Sequence, residues 1–540
     1  MKSSRYLSRI FLFGCLLFST LVYAQDPAQY GTPFAGVPDP RDASIYQVNM
    51  RCFSSTRNFQ GVINRLDSIK ALGVNVIYLM PVQPVGKDSK AVNSPYCIKD
   101  LNAIGSEFGT LDDMRRLVDG AHSRGMAVIL DWVANQTSWD HPWITQHKDW
   151  YLQNGSGNII QLNSYADVAA LNFSNAAMCT AMIDAMRYWV FTSNIDGFRC
   201  DYADNPPISF WQQAITSLRG IATHKLLLLA EGSLSTHYTA GFDYNFGFSF
   251  YGGLKSIYQN GASVTSIDNL NSSEYTSAGS NNQVVRYLTN HDVYGSDGSP
   301  YNFLGGKNGV LAAFVVIAYM KSVPFIYNGV EVGNTVSMPF PFTSSYINWT
   351  KDLTVTPEIK KIISLRNKSV AIRRGALTSL DNADVCAFTK VSGTDTIFVL
   401  SNLRNSAQTF NLPNGIAGAS WFNAYTNASV SLGSTISLSA YQYKVFTNTA
   451  SALSVNDTPF SPDHFVIFPN PVTNGQLIVD IKSSAKNLTL KLFDTRGKEV
   501  FKSKLHSSSN TFDVSNLKKG IYLAKVSNAL GINTQKIVIK

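Results

Sequence analysis

Residues 126–133 read MAVILDWV, a run of apolar residues interrupted by a single carboxylate, Asp131. Continuous apolar runs of this length, rich in aliphatic and β-branched residues, are typical of strands buried on both faces of a parallel sheet. Similar runs recur at residues 44–50, 74–80 and 226–231. The stretch at 126–133 therefore predicts a buried parallel strand that carries a charge near its end.

Amphipathic helical segments separate these runs. Residues 110–124 carry apolar residues three or four positions apart, with Thr110 as a predicted N-cap and Gly125 as a stop. Residues 175–194 have a similar helical pattern. Alternating strands and helices favour a parallel sheet with crossover helices. Strands are predicted near residues 44–50, 74–80, 126–133, 197–203, 226–232, 241–247, 284–291 and 323–328, so the fold class is α/β, a (β/α)8 TIM barrel over 44–375.

The rest of the chain divides around this barrel. Residues 134–173 are polar and aromatic and are predicted to form a short inserted subdomain, because one helix does not fill the gap between the third and fourth strands. After residue 375 the helical pattern stops, and short alternating segments predict a β-sandwich at 376–449. A linker at 450–463 and a second all-β sandwich at 464–540 follow, and residues 25–43 form an N-terminal linker before the barrel.

Charge is concentrated at the two ends of the chain. The formal net charge is +9, but residues 1–24 hold three basic and no acidic residues, and residues 464–540 hold twelve basic and four acidic ones. The remaining residues 25–463 carry −2, which argues against a nucleic acid as a partner. Hydrophobic residues make up 45% of the chain and charged residues 15%, so the composition excludes a disordered protein.

The N-terminus and the cysteines indicate the compartment. Residues 1–24 have a basic start, an apolar run and the sequence VYA before a cleavage point, which predicts a signal peptide; the alternative is a membrane anchor helix. No later apolar run reaches the length of a transmembrane helix, so no membrane span is predicted in the mature chain. Five further cysteines stand at irregular spacings and are predicted to be buried thiols.

Three carboxylates are predicted to meet on one rim of the barrel. Asp201, Glu231 and Asp292 end the fourth, fifth and seventh strands, and catalytic groups of such barrels lie at the C-terminal ends of strands. One acid at a strand end is usually a helix cap or a salt-bridge partner, whereas three in phase, beside Arg199 and His291, favour catalysis. Two carboxylates with a basic group match glycoside hydrolysis, in which Arg199 would keep Asp201 ionised.

The middle of the chain resembles the α-amylase family of glycoside hydrolases. Four short motifs stand in the family's order, namely DWVANQ at 131–136, GFRCD at 197–201, AEG at 230–232 and NHD at 290–292. Supporting segments are SPY at 94–96 with Asp100, EFGT at 107–110 and PFIYNG at 324–329. Each motif alone is weak, and the ordered set is specific.

The resemblance implies a retaining hydrolase of α-glucosidic bonds, mainly α-1,4, in starch, maltodextrins or related α-glucans. Asp201 would be the nucleophile, Glu231 the acid and then the base, and Asp292 a holder of sugar hydroxyls. The resemblance also implies a substrate-binding set of Tyr96, Gln136, Arg199 and His291. Two alternatives remain: a transglycosylase on α-glucans, and a non-catalytic surface glycan-binding protein on the same scaffold.

Two features of the insert bear on specificity. The first motif usually ends in Asn-His, and here it ends in Asn135-Gln136, so we expect altered affinity or specificity rather than loss of chemistry. Gln136 can donate a hydrogen bond from its amide but cannot be charged. Aromatic residues of the insert are either further sugar platforms or core filling; they are Trp139, Trp143, Trp150 and Tyr151.

The resemblance also implies structural calcium between barrel and insert. Asn135 matches a ligand position, and Asp167 is the predicted carboxylate partner. Calcium prefers six to eight oxygen ligands, of which the sequence supplies these two. The alternative is an ordinary loop Asn and a helix-proximal Asp, and no organic cofactor is predicted.

The last domain resembles the C-terminal sorting domain of the type IX secretion system. The resemblance rests on FPNP at 468–471, DTRG at 494–497, GIY at 520–522 and the basic end at 536–540. The alternative, a carbohydrate-binding sandwich, is disfavoured because the segment lacks tryptophan. The resemblance implies the secretion machinery as a partner, and a secreted protein or one on the outer-membrane surface of a Gram-negative bacterium.

Overall fold

The structure, a computed structural model, describes residues 26–450, 465–481, 488–494, 498–505, 508–528 and 531–540. Three predictions fall wholly or partly elsewhere. The signal peptide at 1–24 lies outside the described residues, as do residues 451–463 of the predicted linker and residues 495–497 of the DTRG motif. The described chain divides into two compact units between Ser364 and Leu365.

A closed barrel of eight parallel strands occupies the first unit, within residues 26–450, and confirms the predicted TIM barrel. Its order around the barrel follows the order along the chain. The eighth strand closes the ring against the first, where Phe325 pairs with Ile45. The strands are Ile45–Val48, Val76–Leu79, Ala127–Trp132, Gly197–Cys200, Leu227–Ala230, Tyr244–Phe246, Gln283–Tyr287 and Val323–Tyr327.

The barrel strands are buried along their whole length, as their continuous apolar sequences predict. The fourth strand begins at Gly197, whose φ is +142°, and a Cβ at this position would lie 1.9 Å from the carbonyl oxygen of Leu227. Only glycine permits this close approach to the fifth strand. The glycine of the GFRCD motif therefore has a structural reason: it brings the strands of Asp201 and Glu231 together.

Side-chain caps begin two of the helices around the barrel, and one of them, Thr110, is the predicted cap. Thr110 and Asp113 form a reciprocal capping box at the start of Leu111–His122, and the Asn175 side chain accepts from two backbone N–H groups at the start of Ala176–Ser193. The other helices of four residues or more in this unit are Met50–Phe53, Phe59–Ile63, Leu66–Ala71, Trp143–Gln146, Ile208–Arg219, Thr236–Ala240, Phe248–Asn260, Ser266–Glu274, His291–Asp297, Pro300–Phe303 and Gly306–Tyr319. A last helix, Val355–Lys368, runs across the boundary between the units.

The predicted insert follows the third barrel strand and contains a small antiparallel sheet. Its strands are Gln136–Ser138, Tyr165–Ala170 and Gln161–Leu162, with Tyr165–Ala170 in the centre. Gln136 pairs with Ala170 at one end of this sheet. The sheet thus holds Gln136 directly after the strand that carries Asp131.

The predicted N-terminal linker packs along the outer helices where it is described. The backbone N–H of Tyr30 donates to the carbonyl oxygen of Phe191 at 2.7 Å, and the Asn194 amide donates to the carbonyl oxygen of Thr32 at 2.8 Å. Asp26 forms an ion pair with Arg187. These contacts fix the segment against the helix Ala176–Ser193.

The second unit contains the two all-β domains that the sequence predicts. The first follows the short helix Val370–Arg374 and has a six-stranded sheet and a two-stranded sheet around a common apolar core. In sheet order its strands are Ala376–Ser379, Val385–Ser392, Asp395–Asn402, Tyr443–Thr447, Ser420–Asn423 and Ser429–Ser431, then Gln408–Asn411 with Thr435–Leu438.

The described residues of the last domain form two antiparallel sheets over a core of Val, Leu and Ile side chains. The first sheet contains Phe465–Phe468, Gln476–Ile481 and Ser509–Asp513 in this order. The second contains Glu499–Lys504, Thr489–Phe493, Gly520–Asn528 and Gly531–Ile539.

The five cysteines of the described residues lie in the protein interior. Cys52, Cys97, Cys179, Cys200 and Cys386 are buried thiols, as predicted, and the part of the chain that the structure describes holds no disulfide. Among the same residues, no helix is both long and apolar enough to cross a membrane.

Candidate active site

One buried guanidinium organises the rim of the barrel. Arg199, on the fourth strand, donates to Asp131 at 2.6 Å and to Asp201 at 2.9 Å through the same nitrogen, Nη1. Its second terminal nitrogen, Nη2, lies 2.7 Å from Oε1 of Glu231. The Arg199 side chain is 1% exposed. Three carboxylates from three consecutive strands or their ends therefore share one cation.

A chain of hydrogen bonds extends this cluster to the other side of the rim. The hydroxyls of Tyr78 and Tyr96 both donate to Oδ2 of Asp131, at 2.6 and 3.0 Å. Tyr96 is also 2.6 Å from Nε2 of His291, and the two rings are stacked at 5.5 Å. Nε2 of His291 lies 3.1 Å from Oδ1 of Asp292. Asp131 is thus a buried anchor for groups from both sides of the site.

The side chain of Gln47 fixes the orientation of His291. Its Nε2 lies 2.8 Å from Nδ1 of His291, within hydrogen-bonding distance. Gln47 belongs to the first barrel strand and is completely buried. Because both ring nitrogens have hydrogen-bond partners, the orientation of the His291 ring in the site is fixed.

An open cavity of about 630 Å³ lies above this network. Its wall includes six of the predicted site residues plus the predicted metal ligand Asp167; the six are Tyr96, Gln136, Asp201, Glu231, His291 and Asp292. Arg199 lies beneath the wall, where it contacts Asp201 and Glu231. The structure therefore brings all seven predicted catalytic and substrate-binding residues to one cavity and its floor.

Burial and mutual repulsion favour a shared proton on the two central carboxylates. Burial and the neighbouring charge of Glu231 raise the pKa of Asp201 well above its usual range, although Arg199 opposes the shift. Burial also raises the pKa of Glu231, opposed by Arg199 and by a hydrogen bond from the backbone N–H of Tyr202. Two such groups titrate as one unit. One proton on the pair is the arrangement that acid catalysis with a second, ionised carboxylate requires.

Asp292 differs from this pair in the direction of its pKa shift. Desolvation acts to raise its pKa, but the field and hydrogen bond of His291, with a smaller contribution from Arg199, lower the pKa to about 2. The side chain is 53% exposed in the cavity. Asp292 is therefore an ionised acceptor available to a ligand over the whole neutral range.

Comparison with known proteins assigns the two parts of the chain. The protein-family model of the α-amylase catalytic domain matches residues 53–371, which is more than half of the chain. The chain belongs to the α-amylase family. It is thus a glycoside hydrolase. A second family model, that of the secretion system C-terminal sorting domain, matches residues 466–540. The predicted type IX sorting domain is thereby confirmed, and it indicates export of this family member.

Relatives and solved structures cover most of this α-amylase family chain. Alpha-amylase 3 of Dictyoglomus thermophilum is 24% identical over 490 residues, which are 77% of this chain and 94% of that protein. A crystal structure of an α-amylase from Lactobacillus plantarum has a TM-score of 0.69 and 26% identity and covers 76% of this chain and all of that one. A maltogenic α-amylase from Thermotoga neapolitana has the same fold at 22% identity, with a TM-score of 0.68 over 76% of this chain and 99% of that one.

The residue that departs from the family pattern, Gln136, has an unused acceptor. Its Nε2 donates to the carbonyl oxygen of Tyr96 at 3.4 Å, while its Oε1 is buried and has no hydrogen-bond partner among the described residues. A buried oxygen without a donor is unfavourable. Because Gln136 lines the cavity, a sugar hydroxyl can supply that donor. The geometry therefore favours Gln136 as an acceptor, whereas the sequence had indicated a donor.

The two predicted calcium ligands do not form an ion cage. The Asn135 amide nitrogen donates to the carbonyl oxygens of Asp201 and Tyr202, at 3.0 and 3.3 Å, and its oxygen accepts from Asn205 at 2.8 Å. That oxygen faces a donor instead of a cation. Within the described residues no three His, Cys, Asp or Glu side chains are placed to hold a metal. Both polar atoms of the Asn135 amide are thus engaged by protein groups, and calcium stays a prediction from the family resemblance.

Aromatic residues of the cavity are not those named from the insert sequence. Tyr151 is 1% exposed, the Trp139 ring is covered by Lys90 at 3.5 Å, and Trp143 packs against Trp150 at 4.8 Å. Tyr151 therefore fits the core-filling alternative, whereas the three tryptophans are half-buried and are not among the residues that line the cavity. The aromatic side chains that line the cavity, besides Tyr96, are Tyr165, Tyr202, Phe248, Phe340 and Phe342.

Sequence reasoning missed several residues of the site because they carry no motif of their own. Gln47 and Tyr78 stand inside apolar strands and read as core, and their polar atoms face the site only once the barrel closes. Tyr202 follows Asp201 directly, and a bulky residue at this position gives no local signal. The run FPF at 340–342 is an aromatic signal in a loop that could have indicated a wall of the cavity.

Proposed function

We propose that the protein is a retaining glycoside hydrolase that cleaves α-glucosidic bonds, mainly α-1,4, in starch, maltodextrins or related α-glucans. The observation that carries the proposal is the shared guanidinium of Arg199, which holds Asp201 and Glu231 side by side at an open cavity. A retaining mechanism needs two neighbouring carboxylates in different protonation states. Burial raises the pKa of both carboxylates and so favours a proton on the pair, and the mechanism requires that proton to be on Glu231.

In the first step Asp201 attacks the anomeric carbon of the bound sugar. Oδ1 of Asp201 accepts from Arg199, which leaves the other oxygen for the new bond to carbon. Glu231 gives its proton to the glycosidic oxygen as the bond from that oxygen to the anomeric carbon breaks. The result is a glycosyl ester on Asp201 and a released sugar with a free hydroxyl.

In the second step Glu231 acts as a base. It takes a proton from water as the water oxygen bonds to the anomeric carbon and the ester bond to Asp201 breaks. The backbone N–H of Tyr202 and Nη2 of Arg199 both donate to the ionised Glu231, at 2.7 Å each, and so stabilise it in this role. Both carboxylates then return to their starting states.

The remaining site residues bind and orient the reacting sugar. Asp292 and His291 offer an ionised acceptor and an imidazole edge to neighbouring hydroxyls, Gln136 offers a buried acceptor, and Tyr96 offers a ring. A neutral sugar needs no electrostatic steering, which agrees with the net charge of only −2 over residues 25–463. The similarity to α-amylases supports an α-glucan as substrate.

The proposal is tested by sugar release from soluble starch and maltoheptaose. We expect the mature protein to release reducing sugar, and Asp201→Asn and Glu231→Gln each to lose on the order of 10³-fold or more in kcat/KM. NMR of the first product formed should give the α-anomer. Asp112→Asn is the matched control, because this carboxylate is 83% exposed on an outer helix.

The outcomes distinguish the alternatives. Equal background rates for wild type and both variants would favour a non-catalytic glycan-binding protein. A first product with the β-configuration would replace the retaining mechanism by an inverting one. Products longer than the substrate would identify transfer to sugar in place of water.

The sorting domain supports a proposal on location. We expect the protein to be secreted, or held on the outer-membrane surface of a Gram-negative bacterium, after recognition of the last domain by the type IX machinery. Removal of residues 466–540 should leave the protein in the periplasm, and immunoblots of cell fractions and medium would detect it there.

A further inference from the structure

Tyr202 stands in a conformation that a bulky residue rarely adopts. It follows the proposed nucleophile Asp201 directly, and its φ is +43°, in the left-handed region. Such conformations persist only where surrounding contacts hold them, and they are concentrated at functional sites. The peptide groups around Tyr202 are indeed held: its carbonyl oxygen accepts from the Asn135 amide at 3.3 Å and from the backbone N–H of Asn205 at 3.1 Å.

This backbone conformation directs the N–H of Tyr202 at Glu231. The distance from that nitrogen to Oε2 of Glu231 is 2.7 Å. Glu231 protonates the oxygen that joins the two sugars, so the leaving sugar lies next to Glu231. A side chain on the peptide that holds Glu231 is therefore placed next to the leaving sugar.

The side chain of Tyr202 is a ring exposed in the cavity. It is 39% exposed, and it lines the cavity together with Tyr165 of the insert, which is 57% exposed. The Asn163 amide donates to its hydroxyl at 3.4 Å, so one edge of the ring is tethered to the insert. A tethered aromatic ring offers a flat apolar surface, and the C–H face of a pyranose is a suitable partner for it.

We propose that Tyr202 determines specificity on the leaving-group side and favours sugars over water as the acceptor of the glycosyl group; this rests on the proposed function. In the transfer step an acceptor sugar hydroxyl bonds to the anomeric carbon, the ester bond to Asp201 breaks, and the hydroxyl proton passes to Glu231. Water follows the same course but has no face to stack on Tyr202. The ring therefore raises the fraction of intermediates that react with sugar.

The test measures how one intermediate divides between two acceptors. α-Maltosyl fluoride is the donor, because fluoride leaves without occupying the sugar-binding space beside Tyr202, and maltose is the added acceptor. Fluoride release counts the intermediates formed, and chromatography separates the transfer product from maltose released by hydrolysis. The ratio of transfer to hydrolysis is independent of how fast the intermediate forms.

Tyr202→Asn removes the ring and suits the left-handed backbone, since Asn adopts it readily. We expect its transfer-to-hydrolysis ratio to fall at least fivefold, and Tyr202→Phe to stay within twofold of wild type. Tyr202→Ala is a second ring deletion, and Tyr346→Ala is the control, an exposed tyrosine that is not among the cavity-lining residues.

Two results would overturn this inference while the proposed function stands: fluoride release with equal ratios for wild type and both ring deletions, or fluoride release by wild type with no transfer at any maltose concentration. Absence of both fluoride release and starch hydrolysis by wild type would overturn the proposed function itself. Equal ratios would reject the role in acceptor choice even if Tyr202→Asn had a lower kcat/KM for maltoheptaose.

Discussion

Two buried arginines of the same barrel stand in similar surroundings and have different partners. Arg199 on the fourth strand and Arg286 on the seventh are 1% and 0% exposed, and both lie near aromatic rings. The Arg286 guanidinium is 3.9 Å from the ring of Phe250, and that of Arg199 is 5.8 Å from the ring of Tyr78. Their burial and geometry alone do not distinguish a structural role from a catalytic one.

The number of carboxylates at each guanidinium does distinguish them. Nε and Nη2 of Arg286 both donate to one oxygen of Glu274, at 3.1 and 2.9 Å. The other oxygen of Glu274 accepts from the backbone N–H of Phe250. One carboxylate thus matches the charge of Arg286, and both oxygens of that carboxylate accept hydrogen bonds. Arg199 faces three carboxylates, so the described site has surplus negative charge that burial makes unfavourable. A proton bound by these carboxylates reduces the surplus charge, and that proton is available for acid catalysis.

Removal of Arg199 is expected to have the largest effect. Arg199→Met leaves buried carboxylates without their cation, and we expect a loss on the order of 10³-fold in kcat/KM. Because Arg199 lowers the pKa of both Asp201 and Glu231, the acidic limb of the pH profile should move to higher pH. Steady-state rates from pH 4 to 8 test this. An unchanged acidic limb would contradict the shared-cation model.

Removal of Arg286 should affect stability more than chemistry. Arg286→Met leaves Glu274 buried without its cation, and we expect the free energy of unfolding to fall by about 3 kcal/mol. The double variant with Glu274→Leu should recover most of this, because an apolar pair replaces a buried ion pair at little cost. Urea denaturation of the single and double variants measures both. A double variant no more stable than Arg286→Met would show that the pair is not an independent unit.

The fold and the positions of the rim carboxylates could be predicted from the sequence. The strands, helices and barrel are encoded by local periodicity, and Thr110 caps its helix as predicted. The rim carboxylates are also predictable, because parallel strands all end at one side of the barrel. Acids that meet there, such as Asp201 and Glu231, are expected to be neighbours even without knowledge of their distance.

Contacts that depend on closure of the ring are not encoded locally. Gln47 and Tyr78 look like core residues within apolar strands, yet each forms a hydrogen bond with a site residue from another part of the barrel. The left-handed backbone of Tyr202 depends on Asn135 and Asn205, which carry no turn signal for it. The predicted calcium ligand Asn135 likewise has its oxygen occupied by a partner 70 positions away.

The edge of the Arg199 cluster should tolerate change better than its centre. Gln136 presents an acceptor to the cavity without taking part in the charge balance. Gln136→Met keeps the length of the side chain and removes one hydrogen bond to substrate, so we expect KM for maltoheptaose to rise about fivefold, or about 1 kcal/mol, with kcat within twofold. A loss confined to kcat would instead place Gln136 in transition-state binding. Gln136→Asn, which retains an amide, is the matched control.

The smallest expected effect concerns the one carboxylate of the site with a lowered pKa. Asp292 has a folded-state pKa of about 2 against an ordinary value of 3.8, so it stabilises the folded state above pH 4. This contribution is lost as the pH falls from about 4 to about 2. Because the side chain is 53% exposed, screening limits the contribution to less than about 1 kcal/mol. The stability advantage of wild type over Asp292→Asn, measured in urea at pH 6, 4 and 3, should therefore shrink as the pH falls, and an advantage that grows would mean that His291 does not stabilise the ionised form.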